Sequence, residues 1–464
     1  MSSSRFFKSS TIYLIGGFLS KLALFLMLPI YTAKIPVADM GVYEAQTALA
    51  VLISSVIFLD LGVGVLRLGQ DGGERERVLS TGLVVLLGLS LAYLALCGVL
   101  FWLLDLPGAP LVLLFGLANA LFAAAGFFAR ARGKAALYAL GGVVSTAVQI
   151  ALNLVLILGV GLGVRALYIS YAVGALSGAM LLLVGSARRI CFLAHDPVVA
   201  RRLLRFCLPL GAGAAAYWVL TSFGRVAVTF LVGDAAGGAY GVSLKFAQII
   251  VFASLAFRLA WQELAFEKGD TPEATGQSYY TRRLSLAIRI VFAVCLVFVP
   301  LARVGLALFP TFIGAEYAAA KALVPLALVG AALTVLCDFL EPIFGAVKKT
   351  GRLLLTTALG AAVNVILTLV LAPLCGAVGV HLALIAAMLV TLILRLVLLH
   401  RTVGLCLPWR TLLLLPLWAL VVLAYLHLSA LQNLFVLVGA DLFGASLLLP
   451  EVRSALRQRK KAKA

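Results

Sequence analysis

Between short polar breaks this chain repeats one motif, an apolar run of about 20 residues or more, the length a helix needs to cross the ~30 Å hydrocarbon core of a bilayer. Only a helix or a closed barrel satisfies its own backbone in lipid, and a barrel would show alternating segments of about 10 residues. With 63% hydrophobic and 12% charged residues over 464 positions, no single soluble core could hold this chain. The expected fold is therefore an all-α polytopic membrane protein.

The apolar runs fall at about 10–33, 42–66, 78–104, 108–128, 138–161 and 164–186, then at about 206–232, 240–266, 284–309, 318–345, 352–373 and 378–400, with two more at 410–428 and 431–449. That makes about fourteen transmembrane helices. The first is longer than a signal-peptide core, lacks a small-residue cleavage site and is expected to be retained. Basic residues test the count. With the amino terminus placed in the cytoplasm, one side collects Arg5, Lys8, Arg67, Arg75, Arg77, Arg130, Arg132, Lys134, the Arg188–Arg205 cluster, Lys268, Arg282, Arg283, Lys348, Lys349, Arg352, Arg401, Arg410 and the tail from Arg453 to Lys463, whereas the other holds Lys34, Arg165 and Lys321. An asymmetry of this size predicts both termini in the cytoplasm of an inner-membrane protein. The formal charge of +19 thus reads as topology and not as a nucleic-acid footprint. The basic tail fits a positive-inside stop or attraction to anionic membrane lipid.

The two sets of six runs repeat one another. Phe128-Ala-Arg-Ala-Arg132-Gly133-Lys134 corresponds to Phe344-Gly-Ala-Val-Lys-Lys-Thr-Gly351-Arg352, and Gly161-Leu-Gly163 to Gly376-Ala-Val-Gly379. Six spans return the chain to its starting side, so the halves insert in the same orientation. The expected organisation is a lobe over 1–190, a basic linker over 191–205, a second six-helix lobe over 206–402, two extra helices over 403–450 and a tail over 451–464. Two pseudo-symmetric lobes around a central cavity is a transporter plan.

Four cations lie within the apolar runs: Lys21, Arg225, Lys245 and Arg258. Each costs roughly 2.5–3.5 kcal/mol at a helix centre unless it meets water, a counter-charge or a ligand. Lys21 shares a helical stripe with Tyr13 and Gly17, Arg225 with Tyr217 and Thr221, and Arg258 with Gln262. The four are candidate ligands for an anion, Arg through a bidentate fork and Lys as a point charge; Lys245, close to a helix end, also fits simple snorkelling to water. Asp60, Asp338 and Glu341 are the candidate acids. Asp338 and Glu341 share a face just before Pro342, an arrangement suited either to coupling by Na+ or a proton or to a gate latch with Arg67, Lys348 and Lys349.

Other chemistry is weakly represented. The seven cysteines are scattered singly, the four histidines are isolated in sequence, and no phosphate-binding Gly-rich loop ending in Lys-Ser or Lys-Thr occurs. No resident cofactor is expected. The loops opposite the basic side are too short for an enzyme that works on external glycans, so the chain is not expected to be an enzyme.

Several segments together carry a family resemblance: Ser9-Ser-Thr-Ile-Tyr-Leu-Ile-Gly-Gly17-Phe, Met40-Gly-Val-Tyr43-Glu-Ala-Gln, Leu59-Asp60-Leu-Gly62, and Gly351-Arg-Leu-Leu-Leu-Thr-Thr running through Asn364 to Gly379. Over roughly residues 5 to 400 the chain resembles the polysaccharide-export flippases of the multidrug/oligosaccharidyl-lipid/polysaccharide (MOP) superfamily. The resemblance implies alternating access and translocation of an undecaprenyl-pyrophosphate-linked oligosaccharide, working beside polysaccharide polymerase machinery. It also implies cavity-lining roles for Lys21 and Arg258, on the first and eighth helices, where related peptidoglycan-precursor flippases carry basic residues. A drug or cation antiporter of the same superfamily is the main alternative, though it would be expected to concentrate carboxylates in its cavity. A glycan polymerase or ligase is a further one, disfavoured by the short outer loops.

Overall fold

The computed structural model describes residues 22–69, 74–104, 108–186, 195–269, 277–347, 349–406 and 414–461, which are helical with short connections and contain no strand. The helices are α1 Leu28–Lys34, α2 Val37–Phe58, α3 Leu61–Leu68, α4 Arg75–Leu104, α5 Ala109–Ala131, α6 Ala135–Leu154, α7 Val164–Ser186, α8 Pro197–Leu231, α9 Asp234–Gly269, α10 Gln277–Leu308, α11 Ala318–Ala346, α12 Thr350–Val403, α13 Leu414–His427 and α14 Ala430–Lys461. Among the described residues, eleven helices are long and apolar enough to cross a membrane. One of these, the 54-residue α12, is two helices joined at Gly376, whose φ of 59° and ψ of −143° are not helical. Counting it twice and adding the shorter apolar stretches Leu22–Lys34 and Leu417–His427 recovers the fourteen expected spans. This is a multi-pass membrane protein.

The repeat is visible in the backbone. Gly161 has φ 74° and its counterpart Gly376 has φ 59°, both in the left-handed region that disfavours any side chain. Each half thus turns between its last two helices on a glycine.

The chain divides into two compact units, Met1–Gly238 and Ala239–Ala464. In the first, α7 packs on α5 through Ala118, Ala172 and Ala175 and on α6 through Gly174, which faces Ser145 and Gln149; such small residues let helix backbones approach without a hydrophobic drive from water. A second core gathers Phe58, Leu61, Leu79, Tyr93, Phe128, Leu203 and Cys207 from α2 to α5 and α8. The repeat assigns α8 to the second lobe; by packing it lies with the first unit, against α2. The basic linker expected over 191–205 is helical from Pro197, where Asp196 caps α8 by accepting a 2.8 Å hydrogen bond from the Val198 amide.

The run expected as one helix over 42–66 is two. It breaks at Leu59 (φ 53°) and Asp60 (φ 52°), consecutive left-handed residues that separate α2 from α3. Each such residue costs roughly 1–2 kcal/mol, and hydrophobic periodicity carries no signal for it. Packing holds the break in place, because the glycine at Gly211 of α8 leaves the space that Leu59 fills.

In the second unit, Trp261 of α9 stacks on Phe339 of α11 at 4.6 Å and donates to its carbonyl at 2.8 Å. Helices α13 and α14 are packed onto α10 rather than loosely attached. Phe292 meets Trp418 edge-on, Arg303 lies over the Tyr425 ring, and the Tyr425 hydroxyl donates to the Lys321 carbonyl at 2.7 Å.

Candidate functional site

The first unit carries a buried polar and aromatic cluster built on α2. Glu44 points its carboxylate, 3% exposed, toward Arg225 of α8, 24% exposed, at 3.6 Å. Around it Tyr43 packs edge-on against Tyr168, whose hydroxyl donates to Gln46 at 2.7 Å. Phe115 stacks on Tyr171 at 4.1 Å, and the Tyr171 hydroxyl reaches Asn119 at 2.7 Å. Asn153 of α6 donates to the Tyr31 hydroxyl at 2.8 Å. A π-helical turn, Val155–Gly159, follows directly, a local widening of the kind often found at functional positions.

The approach of α2 to the start of α9, beside this pair, is set by absent side chains. A Cβ at Gly41 would overlap the Asp234 carbonyl, and one at Gly238 would overlap that of Val37, so neither glycine admits substitution without parting the backbones. Thr229 bridges the same seam through its hydroxyl to the Gly41 carbonyl at 3.3 Å.

A second group of charges joins α4, α5 and α8. Arg132 forks onto both Glu76 oxygens at 3.0 and 2.6 Å, Arg202 binds Glu74, and Arg77 meets Asp196 at 3.5 Å. The run Glu74-Arg75-Glu76-Arg77 reads in sequence as a basic loop. Its acids are what tie these helices together, and bidentate Arg–carboxylate geometry is the strong form of such a contact.

The residues singled out from sequence distribute as follows. Lys21 lies outside the described residues. Arg258 falls within α9, but its side chain lies outside the described part. Arg225 meets Glu44, an acid that sequence reading passed over within the Tyr43-Glu44 motif. Lys245 is half-buried in the second unit. Asp60 lines a cavity of about 70 Å³ with Ser54, Ser55, Asn119 and Phe127. Asp338 is buried and Glu341, one turn on, is exposed, so the shared face they were expected to present spans two environments. Lys348, named for the latch, lies outside the described residues, and the ion pairs found in the first unit use Glu44, Glu74, Glu76 and Asp196.

Two buried groups were not anticipated. Arg395, only 2% exposed, donates from Nη1 to the Cys337 carbonyl at 2.6 Å and from Nη2 to the Thr357 hydroxyl at 3.0 Å, with Nε 3.4 Å from Thr356. It joins α11 to both halves of α12. His381, fully buried against the Tyr240 ring, has Nε2 3.0 Å from the Ser243 hydroxyl. Since that hydroxyl donates to the Tyr240 carbonyl at 2.7 Å, the imidazole donates to it from Nε2. Both sit deep in apolar runs, where periodicity does not distinguish a polar residue facing a helix from one facing a cavity.

No family model matches the chain, and no curated protein matches it in sequence. Solved structures do match. The chain superposes on lipid II flippase MurJ in its inward closed conformation with a TM-score of 0.72 at 15% identity, covering 95% of this chain and 99% of that one. An inward-facing multidrug resistance MATE family transporter of the MOP superfamily gives a TM-score of 0.59 at 16% identity, covering 85% and 93%. A MOP superfamily transporter from Pyrococcus furiosus, described by the reverse polarity of its binding pocket, gives 0.56 at 16% identity, covering 83% and 93%. At such identities the likeness speaks for architecture, and by that architecture the chain has the MurJ- and MATE-like fold of the MOP transporters.

Proposed function

We propose that this protein is a flippase that carries an undecaprenyl-pyrophosphate-linked oligosaccharide across the inner membrane by alternating access, without catalysing a covalent step. The observation that carries the reading is Arg225, a cation retained inside a span, a quarter exposed, with no hydrogen-bond partner at Nε among the described residues. A guanidinium in that position is expensive in lipid and suited to a phosphate. Lys21, Arg258 and Lys245 add to the same positive character in the sequence. MurJ, by its name a flippase of lipid II, supports a lipid-linked cargo through likeness of fold. The positive-inside pattern orients both termini to the cytoplasm. With that orientation the α2–α9 glycine seam lies at the outer face, and Asp60, Asp338 and Glu341 remain candidates for Na+ or proton coupling or for gating.

A second reading, a drug or cation antiporter, is favoured by one feature: the buried carboxylate of Glu44, which would serve a cationic cargo. A deletion strain separates the two. The flippase reading expects lipid-linked glycan to accumulate on the cytoplasmic face, and expects Lys21→Ala and Arg258→Ala each to restore surface polysaccharide poorly. Full restoration by both variants would rule out the cationic route, and drug sensitivity without glycan accumulation would select the antiporter.

A further inference from the structure

Three cations follow in quick succession at the basic end of α5, and one of them leaves its donors unused. Arg132 forks onto the Glu76 carboxylate, and Lys134 donates to the Gly185 carbonyl at 2.7 Å. Arg130, in the last turn of α5 and partly exposed, makes no hydrogen bond or ion pair among the described residues. None of its nitrogens is enclosed, so the donors are not locked away in the packing. The acids of this face are already held, Glu74 by Arg202, Glu76 by Arg132 and Asp196 by Arg77.

Two rings fix Arg130 in place. Its guanidinium carbon lies over the Phe127 ring, 5.2 Å from the centroid, and over the Tyr138 ring of α6, 5.9 Å from the centroid. Each ring occupies the space that a glycine leaves, Phe127 against Gly62 of α3 and Tyr138 against Gly126 of α5, and a Cβ at either glycine would run into the ring. Contact with an aromatic face engages the flat side of a guanidinium and none of its N–H groups. The rings therefore orient a long side chain while its in-plane donors stay available. The helix dipole accounts for a cation in the last turn of α5, but not for two rings that hold it.

We infer that Arg130, held by Phe127 and Tyr138, binds the phosphate group of a membrane lipid at the basic face of the first unit. A phosphate offers two oxygens that match the guanidinium fork, and such charge-assisted pairs are the strong form of the contact. Basic pockets between membrane helices take lipid headgroups by the same chemistry. The phosphate comes from a resident phospholipid or from the pyrophosphate of a lipid-linked cargo. Only the second source ties the site to the flippase reading above, and the first stands without it.

The site is tested by native mass spectrometry of the full chain in detergent, titrated separately with phosphatidylglycerol and with undecaprenyl pyrophosphate. Arg130→Gln is expected to weaken binding of at least one of the two lipids about tenfold. Tyr138→Leu, which releases the guanidinium from one ring, should weaken the same lipid about threefold. Arg130→Lys keeps the charge without the fork, should fall between wild type and Arg130→Gln, and serves if Arg130→Gln does not assemble. Lys134→Gln removes a neighbouring cation whose donor is already used, and should leave binding unchanged. Loss confined to phosphatidylglycerol assigns the site to a resident phospholipid, and loss confined to undecaprenyl pyrophosphate assigns it to the cargo. Unchanged binding of both lipids in Arg130→Gln would overturn the site. An equal loss in Lys134→Gln would overturn it too, by reducing the effect to general attraction of anions to a basic loop. Neither of these results bears on Arg225, so the flippase reading would stand or fall by its own test.

Discussion

The buried cations of this chain fall into two kinds, told apart by what each guanidinium touches. Arg395 is fully enclosed and its three nitrogens reach the Cys337 carbonyl and the Thr356 and Thr357 hydroxyls, so it serves structure. Arg225 is a quarter exposed, with one long contact to a carboxylate. The first kind makes a stability prediction. Arg395→Ala leaves a cavity and removes hydrogen bonds from a charged donor, and should cost about 3 kcal/mol, read as a lower melting temperature in detergent. Arg395→Met, which fills the volume and carries no buried charge, should recover most of the loss. Equal damage from both would show that the charge itself, and not the packing, holds α11 against α12. Nothing in the sequence separated these arginines. Both interrupt apolar runs, and Arg395 stands close enough to a helix end to pass for a snorkelling residue.

At the level of helices, the sequence was legible wherever length and loop charge set the answer. The fourteen spans and the repeat of the two halves follow from apolar runs and from the glycines at corresponding turns, Gly161 and Gly376, because bilayer thickness fixes one and backbone sterics the other. The break at Leu59 and Asp60 was hidden, since a single acid inside an apolar run reads as a candidate site and not as a helix end, and Leu59 of the left-handed turn packs on α8. Asp tolerates that region better than most residues, and a β-branched side chain does not. Asp60→Asn should therefore leave the melting temperature near that of the wild type, while Asp60→Val should lower stability by about 2 kcal/mol. If Val is tolerated as well as Asn, α2 and α3 join into one helix without penalty and the break has no structural role. The ion pairs of Glu74 and Glu76 were hidden for a related reason, as a charged loop shows its sign in sequence but not its partners.

For the molecule as a whole, fold and cargo stand on different footings. Fold is fixed by helix count, the internal repeat and the superposition on MurJ and the MATE transporters. Cargo depends on the sign of a few intramembrane charges, and the same architecture serves proteins described as a lipid II flippase and as multidrug transporters. Glu44 illustrates why the candidate site was only partly legible. It sits in plain view beside Tyr43, yet its importance comes from Arg225 of α8, far later in the chain, a pairing that no local pattern encodes. The measurement that bears most directly on the proposed cargo is translocation in proteoliposomes containing the purified chain and a fluorescent undecaprenyl-pyrophosphate oligosaccharide, with leaflet exposure read by quenching from outside. The flippase reading predicts protein-dependent transfer between leaflets that Arg225→Gln slows by at least about tenfold, the effect of losing roughly 1.4 kcal/mol of phosphate binding. Transfer no faster than in protein-free liposomes, alongside extrusion of a cationic dye by the same preparation, would contradict it.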